Sequence, residues 1–169
     1  MALHEVRLAL GPEKTLDMIC EKYPAKHFAK FQAAADHHKF LLVDASDEAA
    51  VFQSGLDYKV MRTFSFKDFE QCPWLELRYL TLDTDQQKVM QSILDSWDSD
   101  DVRPLGLKHF AFLQSEKHDY EFVLVNCWED EHDFIKWDNS SDNKVAQFGH
   151  AGNRKALVTL YQAILRTNK

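Results

Sequence analysis

In the segment WLELRYLTL, residues 74–82, two charged residues interrupt an otherwise apolar run, Glu76 and Arg78. The segment alternates like a strand, so Trp74, Glu76, Arg78 and Leu80 share one face, opposite Leu75, Leu77 and Tyr79. If the Leu75, Leu77, Tyr79 face packs on helices, the charged pair looks into the interior on the other side of the sheet. Charges there must be paired or wetted. Two outcomes are open: an internal salt bridge, or a polar pocket in which Arg78 awaits an acid group.

The second concentration of chemistry is WEDEHDFIKWDNSSDNKVAQFGH, which starts at Trp128 and ends at His150. Phe134 and Trp137 are three residues apart, so on a helix both rings share one face, which is expected to meet the core or a pocket, with Asp133 and Lys136 turned to water. The stretch reads either as a surface helix with a polar end or as the wall of a cofactor pocket closed by His150. The other histidines offer less. His37-His38 falls in a turn, His109 in a strand as a satisfied core residue, and His118 and His132 at exposed positions. No Ser-His-Asp set, phosphate-binding glycine loop or metal-spaced carboxylate cluster is visible. Cys20, Cys72 and Cys127 form no CxxC pair and no zinc spacing, and read as buried or idle thiols of a reducing cytosol.

With 169 residues the chain can form one sizeable domain or two small halves sharing a core. Its net charge of −7 argues against nucleic acid and anionic membranes as partners, whose phosphates favour a basic surface. The opening MALHEVRLALG lacks the basic and apolar regions of a signal peptide. No run approaches the ~20 apolar residues needed to span a bilayer. The expectation is a cytoplasmic protein that meets neither nucleic acid nor membrane.

The elements that must position these residues can be read in order. HEVRLAL alternates as a strand, Gly11-Pro12 breaks it, and Leu16, Ile19, Cys20 and Tyr23 recur at helical spacing until Pro24. HFAKFQAAA and KFLLVDAS read as strands, EAAVFQSG as a further candidate, and Leu56 to Met61 as a short helix. The Phe-rich RTFSFKDFEQCP, residues 62–73, is the expected seam between halves, and the most mobile internal segment. Strand WLELRYLTL follows, then a helix capped by Thr84 with Val89, Met90, Ile93, Leu94 and Trp97 on one face. LKHFAFLQS and YEFVLVNCW are strands. Asp130 to Trp137 starts a helix that Ser140 to His150 can continue, and ALVTLYQAIL closes as a strand. The division is an N-terminal β-α-β-β half, residues 1–65, and a C-terminal β-α-β-β-α-β ferredoxin-like unit, residues 73–169. YEFVLVNCW is apolar on both faces, so a second layer must cover its far side. Two such sheets face to face make an α+β barrel, here closed within one chain.

CWEDEHDFIKW...H resembles the W-E-(x)n-F-x-x-W...H signature of the antibiotic biosynthesis monooxygenase superfamily, in particular its heme-degrading branch. TLDMICEKYP and FLLVDASDEAAVFQSGLDYKVM are similar to the N-terminal half of the longer heme-degrading monooxygenases of Gram-positive bacteria, an architecture shared with TRAP-type signal-transduction proteins. The resemblance implies a ferredoxin-like, dimeric-type α+β barrel, as a monomeric pseudo-dimer or a homodimer. It implies a small molecule or heme as partner, with heme both cofactor and substrate of a monooxygenase.

Residue by residue, the resemblance makes Trp137 the aromatic that presses on the porphyrin, with Phe134 beside it. The iron ligand should be a histidine about ten residues further on. That position holds Gln147, while His150 lies three residues beyond, nearly one helical turn. Either an extra turn in NSSDNK returns His150 to the site as ligand, or Gln147 stands there instead. The distal asparagine of the domain's first strand has no counterpart, since that strand offers Leu77 or Arg78. Arg78 would then serve a heme propionate or another acid. Three functions follow: a heme-degrading monooxygenase, a non-catalytic regulatory or stress-related protein of the same fold, or a small-molecule binding module around Arg78 and Trp137.

Overall fold

The computed structural model describes residues 3–26, 28–45, 51–52, 55–65 and 72–164. The element order is β1 (Glu5–Gly11), α1 (Glu13–Lys22), β2 (Ala29–Ala33), β3 (Phe40–Asp44), β4 (Leu56–Phe64), β5 (Trp74–Thr81), α2 (Thr84–Ser96), β6 (Leu107–Ser115), β7 (Glu121–Trp128), α3 (Glu131–Asp138), a 3-10 turn (Lys144–Gln147) and β8 (Leu157–Ala163). The strands close into one antiparallel barrel in the order β1-β3-β2-β8-β5-β7-β6-β4. The first half contributes β4-β1-β3-β2 and the second β8-β5-β7-β6, the same order twice. The seams are the pairs β2 with β8 and β4 with β6. Closure within one chain agrees with the sequence reading, and it leaves no sheet edge open among these strands.

Two apolar layers follow from strand alternation. Inside the barrel lie Leu75, Leu77, Val123, Val125, Leu41, Phe31 and their neighbours. On the outer face, α2, α3 and the 3-10 turn cover Leu80, Leu124, Phe110, Phe112 and Trp128 with Met90, Leu94, Trp97, Phe134, Trp137 and Val145. Strand β7 feeds both layers, so its two-sided apolar pattern is accounted for. A third cluster packs α1 on β1 and β3 through Leu16, Ala9, Phe40 and Leu42.

Several local expectations are corrected. Leu56 to Met61 lies in β4, not in a helix, because pairing with both β1 and β6 outweighs local preference. EAAVFQSG lies largely outside the described residues. The seam divides: Arg62, Thr63 and Phe64 are paired strand residues of β4, residues 66–71 lie outside the described residues, and Cys72 is buried. Helix α2 is capped by Asp83, not Thr84. The Asp83 side chain accepts from Gln86 N while the Gln86 side chain accepts from Asp83 N, a reciprocal capping box. Val89 is exposed at the edge of that helix face. Helix α3 ends at Asp138 rather than continuing to His150.

The thiol reading is also corrected. Cys72 and Cys127 form a disulfide with Cα atoms 5.5 Å apart, and Cys20 takes no part in it. The sequence separation of 55 hid the pair. The register Leu75 to Cys127 brings the lead-in of β5 beside β7. No helix among the described residues is long and apolar enough to cross a membrane.

Candidate functional site

Strand β5 presents its charged face outward, beneath the helices, and not to the barrel interior. Leu75, Leu77 and Tyr79 face the interior instead. This reverses the orientation expected from the sequence. The alternation was correct; which face met the helices depended on the second sheet, whose wholly apolar inner face accepts leucines and would leave charges unpaired.

Glu76 and Arg78 are 0% and 3% exposed. Register places Asn126 of β7 directly across from Glu76, with Trp128 two residues on along the same face. Glu76 Oε1 accepts from Asn126 Nδ2 at 3.0 Å and from Trp128 Nε1 at 2.9 Å. Glu76 Oε2 accepts from Arg78 Nε at 2.6 Å. Arg78 Nη2 donates to Asp138 Oδ1 at 2.6 Å, at the last residue of α3. The guanidinium carbon stands 5.2 Å from the centre of the Trp137 ring. Burial by itself would lower the Arg78 pKa, but Glu76 and Asp138 outweigh it and raise the value. Arg78 is thus a fixed cation.

Around this network the aromatic rings pack on one another. Trp137 meets Trp128 at 5.4 Å and Trp97 at 5.8 Å between centroids, and Phe134 meets Trp128 at 6.1 Å. Phe134 and Trp137 are buried as expected, and Lys136 is exposed. Asp133 is half-buried against Gly106, where a Cβ would collide with its carboxylate. Gly106 also has φ +86°, so the loop requires glycine there.

The structure joins Arg78, Trp137 and Phe134 but not Gln147 or His150. Gln147 is exposed and donates from Nε2 to Lys144 O at 2.7 Å, closing its own 3-10 turn. His150 opens a tight turn in which His150 N donates to Asn153 O and Asn153 N to His150 O. Ala151 and Gly152 take positive φ of 50° and 82° there, and Ala151 N donates to Thr81 Oγ1 at 2.8 Å. The His150 ring lies 6.1 Å from Tyr79, whose side of β5 is opposite that of Arg78. Sequence reading missed Asn126 and Asp138 as partners. A polar residue inside YEFVLVNCW signalled the first; the second became visible only once α3 was placed.

A cleft of about 480 Å³ opens beside Trp137, between the end of α2, the loop 98–105, α3 and the 3-10 turn. Neither Gln147 nor His150 lines it. No group of three or more potential metal-binding side chains occurs among the described residues.

The fold and this site define a class: a single-chain α+β barrel of two ferredoxin-like halves, with an aromatic and charged centre between sheet and helices. Solved structures share the fold. A monooxygenase-like protein of Listeria innocua matches at TM-score 0.78 and 15% identity, over 98% of this chain and 96% of that one. A heme-degrading enzyme of Listeria monocytogenes matches at TM-score 0.71 and 14% identity, over 94% and 98%. A major regulator of staphylococcal pathogenesis matches at TM-score 0.74 and 14% identity, over 95% and 99%. The chain therefore has the fold of the antibiotic biosynthesis monooxygenase-like proteins. No protein-family model and no curated protein matches its sequence.

Proposed function

We propose that this chain is a non-catalytic, small-molecule-binding protein of the monooxygenase-like barrel fold, and not an oxygen-activating heme enzyme. One observation carries the reading: Arg78 lies across the gap between β5 and the Trp137 ring, tied to Glu76 and Asp138. In the chemistry implied by the resemblance, that gap belongs to the porphyrin, with a strand asparagine on one side and a helix histidine as ligand. Here the gap holds a paired guanidinium, the strand offers no asparagine, and neither Gln147 nor His150 lines the cleft beside Trp137. These residues do not fit heme. Such a protein fits the regulatory alternative as well as a binding module; the adjoining cleft favours binding.

The test is a hemin titration of the full chain followed by a reductant. The expected result is no Soret band of defined stoichiometry and no reductant-driven bleaching. A one-to-one Soret band that His150→Ala removes, with the thermal midpoint of the heme-free protein unchanged, would overturn the reading.

A further inference from the structure

The cleft beside Trp137 combines features that the ion network does not explain. Its floor is the edges of Trp97 and Trp137, set at 77° to one another with centroids 5.8 Å apart. Its wall includes Val102 and Leu105, 54% and 79% exposed, an apolar surface left in water. The wall is held in place. Arg103 donates to Trp97 O at 3.1 Å, is ion-paired with Asp100, and lies 4.3 Å from the centre of the Phe64 ring. Gly106 ends the loop against Asp133. Fixed walls cut the ordering cost of binding, and about 480 Å³ lies in the range of small-molecule sites.

Charge decides what the cleft suits. Of the charged side chains that line it, Arg103 is paired with Asp100 and Asp133 is half-buried against Gly106, while Lys136, Lys144, Asp101 and Asp142 are all four exposed. None of these four forms a salt bridge within 4.0 Å among the described residues, although both signs edge one cleft. A purely anionic ligand would leave the aspartates opposed to it, and a purely cationic one the lysines. A molecule with a flat apolar body and one charge of each sign meets both and lays its body against Val102 and Leu105, with the indole edges beneath it.

We propose that the Trp97–Trp137 cleft binds an aromatic zwitterion of the amino-acid class, its carboxylate towards Lys136 and Lys144 and its ammonium towards Asp101 and Asp142. This deepens the binding reading above and rests on it.

The test follows the indole N–H resonances of the ¹⁵N-labelled full chain during titration with L-tryptophan, tryptamine and indole-3-propionate, three unlabelled probes that differ mainly in charge. L-tryptophan is expected to shift the Trp97 and Trp137 signals saturably and leave Trp74 in place. Each singly charged probe should bind about tenfold more weakly, the scale of one charge-assisted contact. Lys136→Gln with Lys144→Gln should abolish the advantage over tryptamine. Asp101→Asn with Asp142→Asn should abolish the advantage over indole-3-propionate. The proposal fails if L-tryptophan gives no saturable shift, if a singly charged probe binds equally well, or if either double variant keeps the original ratios. No hemin is present, so that failure leaves the non-heme reading standing, whereas a hemin-dependent Soret band would strike that reading alone.

Discussion

Arg78 shows how one side chain sets the character of the centre. It satisfies Glu76 on its own strand and Asp138 on α3. Removing it leaves the Glu76 carboxylate buried with only neutral donors. Arg78→Ala should therefore cost about 3–5 kcal/mol in denaturant unfolding. A volume-matched apolar replacement of both members, Glu76→Leu with Arg78→Met, should recover part of that loss, although it strands the Asn126 and Trp128 donors. Trp137→Ala should cost about 3–5 kcal/mol by opening a cavity among Trp97, Trp128 and Phe134, with or without any ligand. His150→Ala, by contrast, removes a half-buried ring at the edge of Tyr79 and should lower the thermal midpoint far less than Trp137→Ala.

At the scale of elements, the disulfide ties the entry of β5 to the end of β7. It closes a loop of 55 residues, which in the chain-entropy account is worth about 4 kcal/mol. Cys72→Ser, or a reductant, should lower the denaturation midpoint by the equivalent of that amount, while Cys20→Ser should not. Thiol counting under denaturing conditions should find one free thiol before reduction and three after it. Helix α2 depends on its reciprocal cap, so Asp83→Ala should cost about 1 kcal/mol, whereas Thr84→Ala should cost less.

The whole molecule is held by the two seams between halves, β2 with β8 and β4 with β6. A chain carrying only residues 73–169 would expose the edges of β6 and β8 and the inner face of its sheet. Light scattering should find it associated or aggregated, and the full chain monomeric. The closed interior also governs alkaline stability. Tyr58, Tyr79 and Tyr161 point into it, and burial raises all three phenols. Tyr58 is pushed up to about 12, with Glu121 adding to the burial effect. The unfolded chain ionises its tyrosines near pH 10 while the folded chain must keep Tyr58 neutral to about 12. Stability is thus fully present below about pH 10 and falls as pH rises through that window. Thermal midpoints measured across it should drop, and Tyr58→Phe should flatten the drop; an unchanged slope in that variant would contradict the assignment.

The sequence by itself determined the elements and their alternation: the faces of β5 and β7, the helical partnership of Phe134 with Trp137, the capping region of α2, and the need for a second sheet over β7. Periodicity is a local property and survives in the string. The tertiary structure alone decided which face of β5 is inner, because that depends on the apolar sheet opposite it. It paired Cys72 with Cys127 and Glu76 with Asn126 across long stretches of chain, through register. It turned Leu56–Phe64 into a seam strand because β1 and β6 flank it. It also moved His150 away from Trp137, since α3 stops at Asp138 and the chain then turns at Ala151-Gly152 with positive φ. A spacing of three residues suggests one helical turn only where the helix continues. Here it ends twelve residues before His150, and the ligand geometry that the spacing suggested is not formed.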